Sequence, residues 1–306
     1  MRIVSLLPGA TEIVAALGLT DGLTGVSHSC DYPPEISGTP VLTRPCLEPK
    51  SLGSAEIDGV IARRLRAGLS VYELDEGALN AADPDLILTQ QSCDVCAVGF
   101  RDVTVAVQAL RRKPEVLALD PCSLGDVLNE IRRVALAAGA PERATCLISG
   151  LRRRIDAVAE RAKTAGARPG VACLEWLDPL YAAGHWMPEL VELAGGRDVL
   201  GTAGVPSRKL SWEQVLAAEP DLLILMPCGF DIPRTFEELH LVTGRPGWGG
   251  LPAVEAGRGF AVNGRAYYNR FGPRLVDGLE YLAHLIQPEL FPAAPPSDVV
   301  SRLPAS

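Results

Sequence analysis

Ala82-Asp83-Pro84-Asp85-Leu86-Ile87-Leu88-Thr89 and Ala218-Glu219-Pro220-Asp221-Leu222-Leu223-Ile224-Leu225 are one pattern written twice in a chain of 306 residues. In each copy an acidic residue and Pro follow a helix-like segment, and Asp then leads into an unbroken apolar run. Proline cannot continue a helix, and a strand covered on both faces is apolar throughout, so each copy reads as a helix stop followed by a buried parallel strand. Two copies about half a chain apart predict two related α/β lobes.

Working outward from the first copy, Ile3–Leu7 reads as a short strand and Pro8-Gly9-Ala10 as a turn. Thr11-Glu12 then caps a helix that Gly18 ends. Gly22–Ser27 and Val116–Leu119 read as further strands, with helices around Asp102–Leu110 and Leu124–Ala138. Between Leu52 and Leu74 lie an extra helix, Ile57–Leu65, and a short strand, Ser70–Leu74, with no counterpart in the second half. From Pro141 to about Ala165 the chain is rich in Arg and Ala, with Leu147, Leu151, Ile155 and Val158 spaced as one helix face requires. After Gly170 the pattern restarts: strand Val171–Leu174, a loop through Gly184-His185-Trp186, helices Pro188–Ala194 and Ser211–Ala218, strands Leu222–Leu225 and Phe260–Val262, and helix Pro273–Ile286. The expected architecture is α/β, with two small parallel-sheet lobes joined by a single long helix and a ligand cleft between the lobes. Its divisions are an N-terminal lobe over 1–138, a linker helix over 139–167, a C-terminal lobe over 168–291 and a flexible tail over 292–306, rich in Pro, Ser and Ala.

With 47% hydrophobic and 22% charged residues the chain has material for two cores and is not a disordered segment. A net charge of −8 gives no basic field for nucleic acid or an anionic membrane, so neither is expected as a partner. The chain opens Met1-Arg2-Ile3-Val4-Ser5 directly into a strand-like run, and no apolar run approaches the roughly 20 residues of a membrane span. Cytoplasmic placement without membrane insertion is the expectation, and extracytoplasmic placement follows if a leader has been removed. Arg152-Arg153-Arg154 reads as the solvated face of a helix, as does Glu237-Glu238 in another.

In open parallel sheets ligands bind beyond the carboxyl ends of the strands. In the first lobe those loops carry His28, Cys30, Cys93, Cys96 and Cys122, with Cys46 nearby, so four to five thiols crowd one rim. Cys93-x-x-Cys96 has the bite of a zinc, iron–sulfur or dithiol motif, and the competing reading is buried or idle reduced thiols. Cys146 and Cys173 read as core. In the second lobe Trp176, Tyr181, His185 and Trp186 follow one strand, and Tyr267, Tyr268, Asn269 and Arg270 follow another. Aromatic planes with an Arg suit a large, flat, polar-edged ligand, although any one aromatic is more often core than contact. His185 is a hydrogen-bonding group or an axial ligand to a bound metal complex. No G-x-G-x-x-G, Walker loop, H-E-x-x-H or G-x-S-x-G is present, and no enzymatic activity is expected.

Ser5-Leu6-Leu7-Pro8-Gly9-Ala10-Thr11-Glu12, Gly25-Val26-Ser27 with Asp31-Tyr32-Pro33-Pro34, the two Pro-Asp strands, Gly195-Gly196, and Arg270 with Pro273-Arg274 resemble the cobalamin-binding members of the helical-backbone (class III) substrate-binding proteins of ABC importers. The resemblance runs over nearly the whole chain. Its opening motif is shared with siderophore and haem receptors of the same fold. It implies a corrinoid, cobalamin, held in the cleft for uptake, storage or handling, with haem or a ferric siderophore as the alternative cargo; the thiol rim itself supports a third reading of another class, a cysteine-based metal (zinc or iron) or redox protein. The implied contacts are Ser5, Pro8 and Gly9 through their backbone, then Tyr32, Trp176, His185, Trp186, Tyr267, Tyr268 and Arg270. Ser29, Arg44 and Gln90 stand where a relative carries aromatic contacts. His185, Cys93 and Cys96 are the implied groups for cobalt or another metal. Glu213 matches the second-lobe acid that docks onto an ABC permease; the matching first-lobe position is Gly77, with Asp75 or Glu76 as substitutes.

Overall fold

The computed structural model describes residues 1–48, 51–91 and 98–304. By its internal contacts the chain divides into two units: unit 1 is Met1–Pro121 with Asp126–Ser149, and unit 2 is Cys122–Gly125 with Gly150–Ser306.

Unit 1 runs β1 Ile3–Ser5, α1 Pro8–Ala16, β2 Leu23–Val26, β3 Thr43–Pro45, α2 Ser54–Arg66, β4 Tyr72–Leu74, α3 Glu76–Ala82, β5 Leu86–Thr89, α4 Phe100–Ala109 and β6 Glu115–Ala118. Then come α5, Leu124–Ala137, and α6, Pro141–Ala162, which continues into unit 2. The sheet order is β2-β1-β5-β6, every pairing parallel. Separately, β3 and β4 pair antiparallel. Val4, Leu6, Leu42, Leu79, Ile87 and Val103 form the core that fastens α3 and α4 to this sheet. The opening motif folds differently from expectation: Pro8-Gly9-Ala10 is the first turn of α1, not a turn before it, and Thr11 and Glu12 lie buried inside the helix. Proline at the first helical position loses no hydrogen bond and brings its φ already set, so the same residues that suggest a turn begin a helix.

Unit 2 continues with β7 Gly170–Leu177, β8 Leu180–Ala182, α7 Met187–Leu193, β9 Arg197–Asp198, β10 Arg208–Lys209, α8 Trp212–Ala217 and β11 Leu222–Leu225. It closes with α9 Ile232–Glu237, α10 His240–Thr243, α11 Pro252–Glu255, β12 Gly259–Val262, α12 Gly264–Tyr267, α13 Arg274–Ile286 and β13 Val300–Arg302. The sheet order is β10-β8-β7-β11-β12-β13, with β9 also beside β7. Its centre, β7-β11-β12, is parallel as the apolar runs predict. Its flanks are antiparallel, because β7 extends to Leu177 and folds back into β8, and because β13 pairs with β12. The segment expected to be a flexible tail therefore ends in an edge strand, with Val299 and Leu303 buried. Those two apolar side chains offset the disorder that the surrounding Pro, Ser and Ala would favour.

The repeated octet has the same function in both units. Asp83 and Glu219 both adopt left-handed backbone, at φ 42° and 41°, where α3 and α8 end. The Pro that follows prevents any continuation. Asp85 then accepts a hydrogen bond from the Arg2 backbone N–H at 2.8 Å, and Asp221 accepts one from that of Gly170 at 2.6 Å. Each repeated Asp thus ties the start of its own strand to the first strand of its unit.

Along α6 the buried stripe is Ala144, Ile148, Leu151, Ile155, Val158 and Ala162, so the face is rotated slightly from the one read through Leu147. In unit 1 the Arg143 guanidinium donates to the carbonyls of Leu17 and Gly18, at 3.0 and 2.7 Å, at the end of α1, where a cation complements the helix dipole. In unit 2 Arg154 pairs with Asp277 and Glu280 of α13, at 2.5 and 2.7 Å, so the triple-Arg run is not wholly a solvated face. Glu238 likewise departs from expectation: it is buried and paired with Arg234. Cys146 is exposed instead of core, since α6 turns it away from the stripe, whereas Cys173 is buried as read. Among the described residues no helix is long and apolar enough to cross a membrane.

Candidate ligand-binding site

In unit 1 the carboxyl ends of β1 and β2 meet in a knot of small polar groups. Ser5 Oγ donates to the Leu7 carbonyl at 3.1 Å, and Thr11 Oγ1 donates to Ser5 Oγ at 2.8 Å. Cys30 Sγ lies 3.0 Å from Thr11 Oγ1 and 3.3 Å from Ser27 Oγ. Ser5 and Thr11 are fully buried, so the SLLPGATE motif spends these hydroxyls on holding the first strand-to-helix loop. Pro8 is half-buried and Gly9 buried. In the next loop the His28 backbone N–H reaches Thr43 Oγ1 at 3.0 Å, its ring Nδ1 is 2.8 Å from that oxygen, and its ring packs 5.2 Å from Tyr72. Burial pushes the His28 imidazole below its ordinary value, which keeps it neutral at pH 7. Tyr32 is exposed beyond this loop, Ser29 and Gln90 are half-buried, and Arg44, in β3, is exposed and paired with Glu73 at 2.6 Å.

Among the described residues the first-half thiols make separate contacts. Cys30 sits in the hydroxyl knot, whereas Cys46 approaches Glu73 at 3.9 Å, and burial pushes its thiol up. Cys122 belongs to unit 2. Cys93 and Cys96 lie outside the described residues, and among the described residues no group of three or more His, Cys, Asp or Glu could hold a metal ion.

In unit 2 the ends of β7 and β12 carry the aromatic loops. The Trp176 ring rests on Phe230 at 5.2 Å and its indole N–H donates to the Asp178 carbonyl at 3.0 Å. Arg234 lies over the Phe230 ring at 4.6 Å. Tyr267 meets Tyr281 edge-on at 5.3 Å, with Arg274 5.3 Å from its ring centre, and burial pushes its hydroxyl up, so it stays protonated. Trp176, Tyr181, His185, Tyr267 and Arg270 are all half-buried, a state that leaves part of each surface for a ligand. His185 is held in left-handed backbone at φ 51°, its N–H donating to Val205 O at 2.6 Å and its carbonyl accepting from Gly204 N at 2.9 Å. Burial pushes its imidazole down, the neutral form in which a ring nitrogen can accept a bond or a metal.

Two expected contacts belong to the core instead. Trp186 is buried and its indole N–H donates to the Tyr268 carbonyl at 2.8 Å. Tyr268 is 1% exposed and its hydroxyl donates to the Gly278 carbonyl at 3.2 Å. Their rings and polar tips are satisfied within unit 2. Sequence reading missed Glu175, half-buried in β7, whose carboxyl is pushed up by desolvation while Ser207 Oγ donates to it at 2.5 Å. The signal was present, since Glu175 interrupts an apolar strand.

Both candidate docking acids stand on first helical turns and are exposed. Glu76 opens α3 behind Asp75, whose carboxylate accepts from the Ala78 N–H at 2.8 Å. Glu213 is second in α8 behind Ser211, which forms a capping box with Gln214. Its own backbone amide, then the Ser211 hydroxyl, hold its carboxyl below the ordinary value. The two caps, Asp75 and Ser211, are as far apart as the two octets, and this places Glu213 opposite Gly77.

A family model for periplasmic binding proteins matches residues 3–265. An uncharacterized ABC transporter substrate-binding lipoprotein of Bacillus subtilis (strain 168) is 24% identical over 304 residues, covering 95% of this chain and 81% of that protein. A vitamin B12-binding protein of Photorhabdus laumondii is 22% identical over 226 residues, 74% of this chain and 70% of that one. The apo structure of a periplasmic heme-binding protein from Roseiflexus sp. RS-1 superposes with a TM-score of 0.70 at 24% identity, covering 94% of this chain and 98% of that one. With the family match running from β1 into α12, this chain belongs to the periplasmic binding protein family.

Proposed function

We propose that the chain is a non-enzymatic receptor for a corrinoid, cobalamin, acting as the substrate-binding component of an ABC importer. The observation that carries this reading is the set of half-buried aromatic side chains braced at the strand ends of unit 2, with Trp176 backed by Phe230 and Tyr267 backed by Tyr281 and Arg274. Faces held this firmly lose little freedom when a flat macrocycle rests on them. Arg270 beside them suits the amide and phosphate edges of a corrinoid. The vitamin B12-binding relative supports the same ligand class. Tyr32, Ser29, Arg44 and Gln90, with the backbone at Pro8 and Gly9, are the contacts proposed from unit 1. Glu213 and Glu76 are the proposed permease contacts.

Haem is the second reading, favoured by His185, a neutral imidazole on a strand-end loop, and by the heme-binding solved structure. The two separate by titration. A corrinoid receptor retains cobalamin absorption after desalting and does not retain haemin, and Tyr267→Ala weakens cobalamin about tenfold, the loss of one stacking contact. Retention of haemin alone, with a Soret shift abolished in His185→Ala, would replace the first reading by the second.

A further inference from the structure

The chain has four histidines, and three of them have a ring nitrogen engaged: His28 with Thr43 Oγ1 at 2.8 Å, His240 with the Glu237 carbonyl at 3.2 Å and His284 with the Phe291 carbonyl at 2.6 Å. His185 is the exception. Among the described residues its ring has no hydrogen-bond partner, and it rests 5.7 Å from the Trp186 ring. Its backbone, by contrast, is firmly held. Gly204–Ser207 runs along the turn as a strap, with Val205 O accepting the His185 N–H at 2.6 Å and the Gly204 N–H donating to the His185 carbonyl at 2.9 Å. Gly184 lets the strap close in, since a β-carbon there would stand 2.4 Å from Val205 O and 2.6 Å from the Ser207 nitrogen. Two carboxyl groups tie the strap down. Asp198 accepts from the Leu200 and Gly201 N–H groups before it, at 2.8 and 2.5 Å. Glu175, at the end of β7, accepts from Ser207 Oγ at 2.5 Å and from the Gly184 N–H, so one side chain holds both the strap and the turn.

We propose that Glu175, acting through Ser207 and Gly184, is a positioning residue that presets the uncommitted His185 imidazole to ligate a cargo whose metal carries an exchangeable axial ligand, a proposal that rests on the receptor role above. Left-handed backbone at φ 51° is strained for a residue with a side chain, and a turn left to itself would relax to negative φ. The strap removes that freedom, and Glu175 fastens the strap. A carboxyl at the end of a strand that is buried and apolar from Val171 to Leu174 is costly to desolvate, and the two donors it gathers offset that cost. The imidazole that results is held by its backbone while its nitrogens stay open. Such a group loses little freedom on meeting a metal, and groups behind a metal ligand set its orientation as surely as the ligand sets the metal. Cargo without a metal, or with a metal whose axial positions do not exchange, gains nothing from this arrangement.

The test uses the full chain with Glu175→Leu, Glu175→Gln and Ser207→Ala, the last carrying the test should Glu175→Leu fail to fold. Without cargo, amide hydrogen exchange at Gly184 and His185 rises at least about tenfold in Glu175→Leu, and at His185 in Ser207→Ala. Ala183, bonded to the Cys173 carbonyl at 3.0 Å, stays protected. Glu175→Gln keeps near-native exchange, because its amide still accepts from Gly184 and can donate to Ser207. With cargo, the probes are hydroxocobalamin and haemin, whose axial ligands exchange, and cyanocobalamin, whose bound cyanide does not. The native chain gives a spectral change with an exchangeable probe that His185→Ala abolishes. Glu175→Leu and Ser207→Ala diminish that change and lower the ratio of hydroxocobalamin to cyanocobalamin affinity at least about tenfold, and Glu175→Gln restores both. Equal loss of affinity for the two cobalamins, or a native His185-dependent signal in both disruptive variants, overturns the proposal. Native exchange in both variants defeats the clasp and leaves the receptor role untouched, whereas failure of the native chain to bind any probe defeats the receptor role itself.

Discussion

Asp85 and Asp221 illustrate how a single side chain can organise a unit. Each closes a helix-to-strand corner by accepting a backbone N–H from the neighbouring first strand. Removing the Asp221 acceptor leaves the Gly170 amide buried without its partner, so Asp221→Ala should destabilise unit 2 by about 1–3 kcal/mol in chemical denaturation. The Asp85 carboxyl is held below its ordinary value, first by the Arg2 amide and then by the Arg2 guanidinium. A depressed folded-state value contributes stability that is present above the unfolded value, near 3.9, and is lost as pH falls through the folded one. Denaturant midpoints followed below about pH 4 should therefore fall more steeply for the native chain than for Asp85→Asn, and parallel curves would remove Asp85 from acid sensitivity. At the ligand loops, Trp186→Phe and Tyr268→Phe should each lower Tm through the loss of one buried hydrogen bond, roughly 1 kcal/mol, with cobalamin affinity unchanged. Tyr267→Ala should do the opposite. Sequence alone could not divide these aromatics, because by pattern all read as loop residues after strands, and only burial distinguishes the ring that packs inward from the one left half-exposed.

Among the elements, β5 and β11 were legible to the residue, since an unbroken apolar run bounded by Pro-Asp admits one reading. The start of α1 was not, because Pro-Gly is both turn chemistry and an acceptable first helical turn. The elements β8, β10, α10 and α11, of two to four residues, went unread, for none is long enough to display a period. The edge strand β13 was hidden by its Pro- and Ser-rich surroundings. Its contribution is checkable: Leu303 packs against Gly259 and is 8% exposed, so Leu303→Ala should cost about 2 kcal/mol, and truncation after Asp298 more, by thermal unfolding. A truncated chain as stable as the whole would mean that β13 contributes nothing.

For the molecule as a whole, the octet repeat and the long apolar-striped stretch of α6 were enough to predict two α/β units, and the Ser5–Glu12 motif with Gly195-Gly196 and Arg270 carried the resemblance to a family, whereas the proposed cargo rests on a few half-buried side chains. The proposed receptor role combines a cargo with a partner, and the proposed contacts are separable: strand-end aromatics for the first, exposed acids on α3 and α8 for the second. The most direct test is titration of the purified chain with cyano-, hydroxo- and adenosylcobalamin, with haemin as control, recording heat and visible spectrum together. The account predicts saturable binding of the cobalamins near one equivalent, with a spectral change for hydroxocobalamin that disappears in His185→Ala if that imidazole reaches cobalt. Absence of binding to every cobalamin would contradict it.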